Sequence, residues 1–402
     1  VEIESFQALL TDEGQTLLAE LRDFKPGEEL ALATRLRRKH PAELVSAALA
    51  QAALRQRARA KFGSADRQHS GEDTDADALY FTPNGVEQAT RRSVAEWRAE
   101  RFAALGVRRL ADLCCGIGGD AIALARAGIA VLAVDRDPLT CAVAEANAAA
   151  LGLAELIEVR CADVTDVDVT GFDAVFTDPA RRTSRGRVFD PEAYSPPLSW
   201  AIGAARRTPF GALKVAPGIP HELVPEGAEA EWVSDHGDVK EAGLWFGTKA
   251  DKATEPHRAT LLPGPHTLTG GRLPDPEAGP VGRYLYEPDG AVIRAHLVAE
   301  VAEQVGGRLI DPMIAYLTSD LLVPTPYAHA YELTDVLPFN VKKLKALLRE
   351  RGVGTVVIKK RGIGITPEDL RRQLKPTGPN TVTVIISRVG DGHIMMLGQP
   401  VG

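Results

Sequence analysis

Aromatic residues make up only 5% of this 402-residue chain, and it has four cysteines and three methionines. Four cysteines with no C-x-x-C pair build neither a disulfide framework nor a zinc ribbon. They are expected to be small, buried side chains in a reducing compartment. None of the nine histidines has metal-ligand spacing, so no metal is expected. Long apolar runs are missing too: Arg126 and Gly128 interrupt the longest one, which excludes a membrane-spanning helix. The opening Val1-Glu-Ile-Glu-Ser has no signal-peptide pattern, and the expected compartment is the cytoplasm. A net charge of −7 excludes a chain that is basic throughout. That charge is uneven, since residues 330–402 carry twelve Lys and Arg against six acids, leaving +6 there and −13 elsewhere. Such asymmetry points to an anionic partner held at one end.

With 45% apolar and 25% charged residues, the composition is that of an ordinary globular protein, and the length implies two or three domains. The most informative stretch is Arg109–Asp137. A short apolar strand runs into Asp112, a turn follows through Cys114, Cys115, Gly116, Ile117, Gly118 and Gly119, and a helix begins at Asp120. Gly128 stops that helix, and a second strand ends on Asp135. This is the first β-α-β of a doubly wound sheet, which puts a ligand at the strands' carboxyl ends. Gly116-x-Gly118-x-x-Ala121 fits a dinucleotide fingerprint, but Asp112 at the mouth of the turn would repel a pyrophosphate and suit a cationic amino-acid end. Asp163, with Val164 after it, closes a third strand where an adenine amine would lie. Acids ending three successive strands suit S-adenosylmethionine, with Asp112 for the methionyl amine, Asp135 (followed by Arg136) for the ribose and Asp163 for the base. On these residues the chain resembles a class I methyltransferase, with Cys114 standing where that family has its first loop glycine.

Taken in order, residues 1–78 are expected to form a helical domain. Phe6, Leu9, Leu10, Leu17, Leu18 and Leu21 recur at helical spacing, and Pro41 precedes an alanine-rich helix. Residues 63–77 are polar and expected to be a mobile loop. The stretch Tyr80-Phe81-Thr82-Pro83 is similar to one that trimethylguanosine synthases place over the cofactor, which implies contacts from Phe81 and Thr82; the alternative is a helix entry with Phe81 in the core. Residues 79–265 are expected to be the Rossmann-like domain, an α/β fold with a seven-stranded sheet. Residues 266–325 follow as a linker and helical connection, and residues 326–402 as a small α/β sandwich in β-α-β-α-β-β order. The tail stretches Leu337-Pro-Phe-Asn-Val-Lys-Lys-Leu and Val357-Ile-Lys-Lys-Arg-Gly resemble the THUMP-like domain that follows bacterial methyltransferases of this type. Lys342, Lys343 and Lys345 on its helix, with Lys359, Lys360 and Arg361 at a strand exit, predict a positive face.

The fourth strand ends in Thr177-Asp178-Pro179-Ala180-Arg181-Arg182. Methyltransferases acting on nucleobase amines have an acidic or amide residue, two prolines and an aromatic here. The resemblance therefore implies a catalytic role for Asp178 and Pro179, whose side-chain and backbone oxygens accept hydrogen bonds from the amine. Ala180 and Arg181 depart from that pattern. Arg181, Arg182 and Arg185 crowd the following loop and would attract RNA phosphate, or simply form a solvated face. Tyr194-Ser-Pro-Pro197 is expected to be a helix cap and first turn. Three functions stay open: methylation of an RNA base amine, a non-catalytic cofactor- or RNA-binding module on the same fold, and small-molecule methylation. A nicotinamide enzyme is disfavoured by the acids.

Overall fold

The computed structural model describes residues 2–25, 27–63, 75–180, 182–183, 186–187, 190–248 and 256–401. By internal compactness the chain divides into two units, residues 1–228 with 243–252 and residues 229–242 with 253–402.

The first unit opens with helices α1 (Ile3–Leu9), α2 (Asp12–Glu20), α3 (Glu29–Leu36) and α4 (Ala42–Phe62). Thr11 caps α2 by accepting from the Gly14 amide at 3.2 Å, and Pro41 precedes α4, where its missing N–H costs nothing. The helical spacing of Phe6, Leu9, Leu17, Leu18 and Leu21 places all five in the core, whereas Leu10 stays exposed. Next come α5 (Pro83–Gln88) and α6 (Arg92–Ala104), then β1 (Arg109–Leu113), α7 (Gly119–Arg126), β2 (Ala130–Asp135), α8 (Pro138–Ala150), β3 (Ile157–Cys161), β4 (Ala174–Thr177), α9 (Leu198–Ala205) and β5 (Phe210–Val215).

Strands β1–β5 are parallel in the order β3-β2-β1-β4-β5, with the reversal of winding between β1 and β4. Alternation along each strand feeds two cores. Leu110, Val131, Ala133, Ala174 and Phe176 join the helical side. Ala111, Leu113, Leu132, Val134 and Val175 join the opposite side with Val164, Val167 and Ala204. Asp112 follows the period of Leu110, so it points to the helical side.

The sheet has nine strands where seven were expected, adding β6 (Glu229–Asp235), β7 (Asp238–Phe246), β8 (His257–Leu262) and β9 (His266–Gly270) in the order β9-β8-β6-β7-β5-β4-β1-β2-β3. The extra strands come from two places. The stretch 230–246 is a hairpin of two strands, its two-residue turn made by His236 and Gly237 at φ 52° and 81°, as a tight hairpin turn requires. The proline-rich run after Leu262, expected as linker, is a second hairpin turn leading into β9, which pairs antiparallel with β8.

The second unit also holds a seven-stranded sheet of β10 (Tyr284–Pro288), β11 (Arg308–Asp311), β12 (Ile314–Ser319), β13 (Ala328–Pro338), β14 (Val353–Arg361), β15 (Asn380–Val389) and β16 (Gly392–Val401). Its order is β11-β12-β10-β13-β16-β15-β14. The tail keeps its expected element order, with α12 (Val341–Glu350) capped by Asn340 and α13 (Pro367–Leu374) capped by Thr366. Its four strands are continuous with three from residues 284–319, so the expected sandwich is part of a larger sheet. The helical connection expected within residues 266–325 holds two helices, α10 (Gly290–Arg294) and α11 (Val298–Val305), with His296 at φ 57° between them. No described helix is long and apolar enough to cross a membrane.

Candidate active site

The glycine turn between β1 and α7 takes its shape from three left-handed residues, Cys114 at φ 67°, Gly116 at 55° and Gly118 at 86°. Two are glycine, which adopts that region freely, whereas Cys114 carries a side chain into it. The loop is held from two directions. Cys115 donates its backbone N–H to the Val134 carbonyl at 3.0 Å, and Gly116 donates to Asp135 Oδ2 at 3.1 Å. Asp135 Oδ1 accepts from the Asp137 amide at 3.0 Å.

Asn147, fully buried on α8, ties this loop to the segment before α5. Its Oδ1 accepts from the Tyr80 amide at 2.7 Å, and its Nδ2 donates to the carbonyls of Tyr80 at 3.1 Å and Ile117 at 2.9 Å. Thr82 caps α5 through the Gly85 amide at 2.9 Å. Gly85 lies so close to Ile117 that an added Cβ would sit 2.5 Å from that side chain. Phe81 is buried with its ring 5.3 Å from that of Phe62, in the packed core.

Around the ends of β1, β4 and β5 lies a buried charged network. Lys214, 6% exposed on β5, donates from Nζ to Asp178 Oδ2 at 2.7 Å and to Thr90 Oγ1 at 3.0 Å. Thr90 in turn donates its hydroxyl hydrogen bond to Asp120 Oδ2 at 2.8 Å, and Arg98 bonds to Asp120 Oδ1. The Arg98 guanidinium also lies over the Phe176 ring, 4.3 Å from its centre. Asp120 is in the first turn of α7, where the helix dipole favours an acid.

Asp112 is excluded from these pairings. It is 1% exposed, and among the described residues neither carboxylate oxygen has a hydrogen-bond partner. Burial pushes its carboxyl well above the usual carboxylate range, and the neighbouring charge of Asp120 adds to the effect. A buried acid without a partner is unfavourable unless it is neutral or a cation reaches it.

Asp163 is exposed and accepts from the Thr165 amide at 2.9 Å and its hydroxyl at 2.7 Å, bonds that lower its pKa. Val164 is buried, Arg136 exposed and Pro179 buried. Asp178 keeps Oδ1 without a partner among the described residues. Of the substrate-loop arginines, Arg181 and Arg185 lie outside the described residues. Arg182 is described only as part of a two-residue strand, Arg182–Thr183, paired with Gly186–Arg187. Pro197 stands at the N-cap of α9 as expected, but the same stretch has a further contact. Ser195 and Ala180 exchange backbone hydrogen bonds at 2.9 and 3.1 Å, so it lies beside the Asp178-Pro179-Ala180 turn. Cys161 is exposed, against the expectation of burial, because β3 is the edge strand. Burial raises the thiol pKa of both Cys114 and Cys115.

Sequence reasoning missed Thr90, Arg98, Asp120, Asn147 and Lys214. The available signals were a lysine in the apolar strand Phe210–Val215 and an asparagine inside an alanine helix.

Three family models match the chain: a domain of unknown function over residues 2–58, an RNA cap guanine-N2 methyltransferase over 107–198, and a THUMP domain-like model over 328–400. A protein of Mycobacterium tuberculosis strain CDC 1551 / Oshkosh, named an uncharacterized S-adenosylmethionine-dependent methyltransferase, is 35% identical over 319 residues. The match covers 78% of this chain and 86% of that protein. Its counterpart in strain H37Rv matches with the same figures. A crystal structure described as that of a methyltransferase from Porphyromonas gingivalis W83 superposes with a TM-score of 0.73 at 23% identity. It covers 94% of this chain and 100% of that one, a likeness of fold.

Proposed function

Since the chain belongs to the S-adenosylmethionine-dependent methyltransferases, we propose that it methylates an exocyclic amine of an RNA base, with Asp178 as the group that holds the amine. The observation that carries this reading is the state of Asp178, whose Oδ2 is fixed by Lys214 while Oδ1 is left to accept. The match of residues 107–198 to an RNA cap guanine-N2 methyltransferase model and of the tail to a THUMP domain-like model supports RNA as the substrate.

The residues present fit S-adenosylmethionine. Asp112 is a buried carboxylate lacking a partner, suited to the methionyl ammonium. Asp135 with Arg136 would hold the ribose, and Asp163 with Val164 the adenine. Cys114, Gly116 and Gly118 would line the nucleoside, with Thr82 at the cap of α5 on the cofactor's outer side, while Phe81, packed in the core against Phe62, takes the helix-entry alternative. The cofactor supplies an electrophilic methyl group on a sulfonium. The chain's part is positional: Asp178 Oδ1 would accept an amine N–H and the carbonyl of Pro179 another, which would hold the amine with its lone pair free to take the methyl group. Lys214 keeps the Asp178 carboxylate from turning away.

Mass spectrometry of nucleosides from total RNA of strains with and without the gene tests the substrate, and a methylated nucleoside should disappear with the gene. The purified protein and labelled cofactor should then restore it. Asp178→Ala should lower turnover by at least about 10²-fold, as misplacement of a reacting group does, with S-adenosylhomocysteine affinity unchanged. Asp135→Ala should weaken cofactor binding by about 1–3 kcal/mol. Equal loss of cofactor affinity in both variants, with equal residual rates, would overturn the division of roles. Label appearing only in small molecules would overturn the RNA substrate.

A further inference from the structure

The N-terminal helices line an open cleft of about 470 Å³, formed by α2, α4 and the segment leading to Tyr80, with Ala150 at the end of α8. Three of its lining residues are arginines, Arg22, Arg55 and Arg59, against one acid, Asp77. Asp77 is taken by Arg59 at 2.9 Å. Arg55 is half-buried and has no carboxylate within ion-pair range among the described residues. Its Nε donates to the Leu79 carbonyl at 2.9 Å, and its guanidinium lies 5.1 Å from the Tyr80 ring centre. Tyr80 in turn accepts from Gln15 at 2.7 Å, so the wall that carries Arg55 is fixed.

A guanidinium stays protonated in proteins, so its partial burial here, which lowers the Arg55 pKa, is a cost that Tyr80 and the cavity's one acid, already paired with Arg59, offset only in part. An anion seated beside Arg55 would offset the rest. Arginine forks match phosphate oxygens, and a volume of this order takes a molecule of nucleotide size.

We propose that this cavity binds a phosphate-bearing nucleotide, as one residue of an RNA strand. The phosphate chemistry stands on the cavity alone; the RNA source rests on the proposed function. The site is separate from the cofactor residues, and it would give a substrate strand a second hold on the catalytic unit.

The test uses the full chain, with a fluorescein-labelled ten-nucleotide single-stranded RNA and free GMP as probes, each titrated at two salt concentrations. Arg22→Gln and Arg55→Gln are compared with the parent. Because Arg55 also holds the Leu79 carbonyl, melting temperature and S-adenosylhomocysteine binding establish that each variant is folded. Arg22→Gln carries the test if Arg55→Gln is not folded. Each folded variant should bind the RNA about tenfold more weakly, with unchanged cofactor affinity and a salt slope reduced by roughly 0.7 for each phosphate no longer held. GMP that competes for the cavity would assign it to a free nucleotide and overturn the strand. GMP binding that is lost in the variants, in a protein that methylates no RNA, would uphold the phosphate site and sink the RNA reading. Folded variants that bind both probes like the parent, or a parent that binds neither, would overturn the proposal.

Discussion

Asp112 and Asp178 stand at the ends of adjacent parallel strands, with Leu113 opposite Thr177 in the register. Asp112 is shielded from water and Asp178 is partly exposed, and their partners differ as well. Asp178 shares a 2.7 Å bond with Lys214, which is itself anchored through Thr90 to Asp120 and Arg98. Asp112, more deeply buried, has no hydrogen-bond partner among the described residues. The protein fixes the state of the first acid in advance and leaves that of the second to a ligand. A group meant to orient substrate is held in place by partners, whereas a group meant to bind a cation is most effective if its neighbours have not already neutralised it.

Removing the partner from the paired acid should have the largest effect. Lys214→Met leaves Asp178 uncompensated and Thr90 short of a donor, and should cost about 3–5 kcal/mol in urea denaturation. Adding Asp178→Asn should recover a good part of that loss. A single variant as stable as the parent would mean that the pairing does not hold this region together.

The unpaired acid should respond in the opposite sense. With its pKa raised, Asp112 in the folded protein keeps a proton that the unfolded chain releases at ordinary carboxylate pH. The stability this provides is fully present below the unfolded value, about 3.9, and is lost as pH rises through the folded value. Asp112→Asn should therefore flatten the stability–pH profile on its alkaline side without destabilising the protein. Its affinity for S-adenosylhomocysteine should fall by about 1–3 kcal/mol, read by calorimetry. A variant less stable than the parent at every pH would show that Asp112 has a partner in solution.

The smallest effect concerns the turn between the two acids. Cys114 pays for a left-handed backbone that glycine adopts without strain, so Cys114→Gly should raise stability by about 1 kcal/mol. A loss in thermal denaturation would mean that packing of the thiol outweighs the strain.

Much of this was legible in the sequence. The β-α-β unit lies within thirty contiguous residues, and its glycines and strand-ending acids each have one natural conformation. The tail helices were legible for the same reason, through Asn340 and Thr366 at their caps. The charged network was not, because Lys214 and Thr90 are 124 residues apart and each alone reads as an ordinary polar side chain. The expected positive face of the tail is also reduced by partners from elsewhere. Glu287 on β10 pairs with Lys359 and reaches Arg361 at 3.7 Å, while Lys342, Lys343 and Lys360 remain exposed. The tail's four strands are also hydrogen-bonded into one seven-stranded sheet with three strands from residues 284–319.

Asn147 has a consequence for how the molecule comes apart. The backbone amide of Tyr80 is sealed by a side chain 67 residues further along, and the same side chain grips the carbonyl of Ile117 in the glycine turn. Hydrogen exchange at Tyr80 therefore has to wait for the Asn147 clamp to release, and that release also frees the Ile117 carbonyl of the turn. The segment that follows the N-terminal helices and the cofactor loop thus belong to one cooperative opening unit. Damage at either end of that clamp is felt as loss of the other.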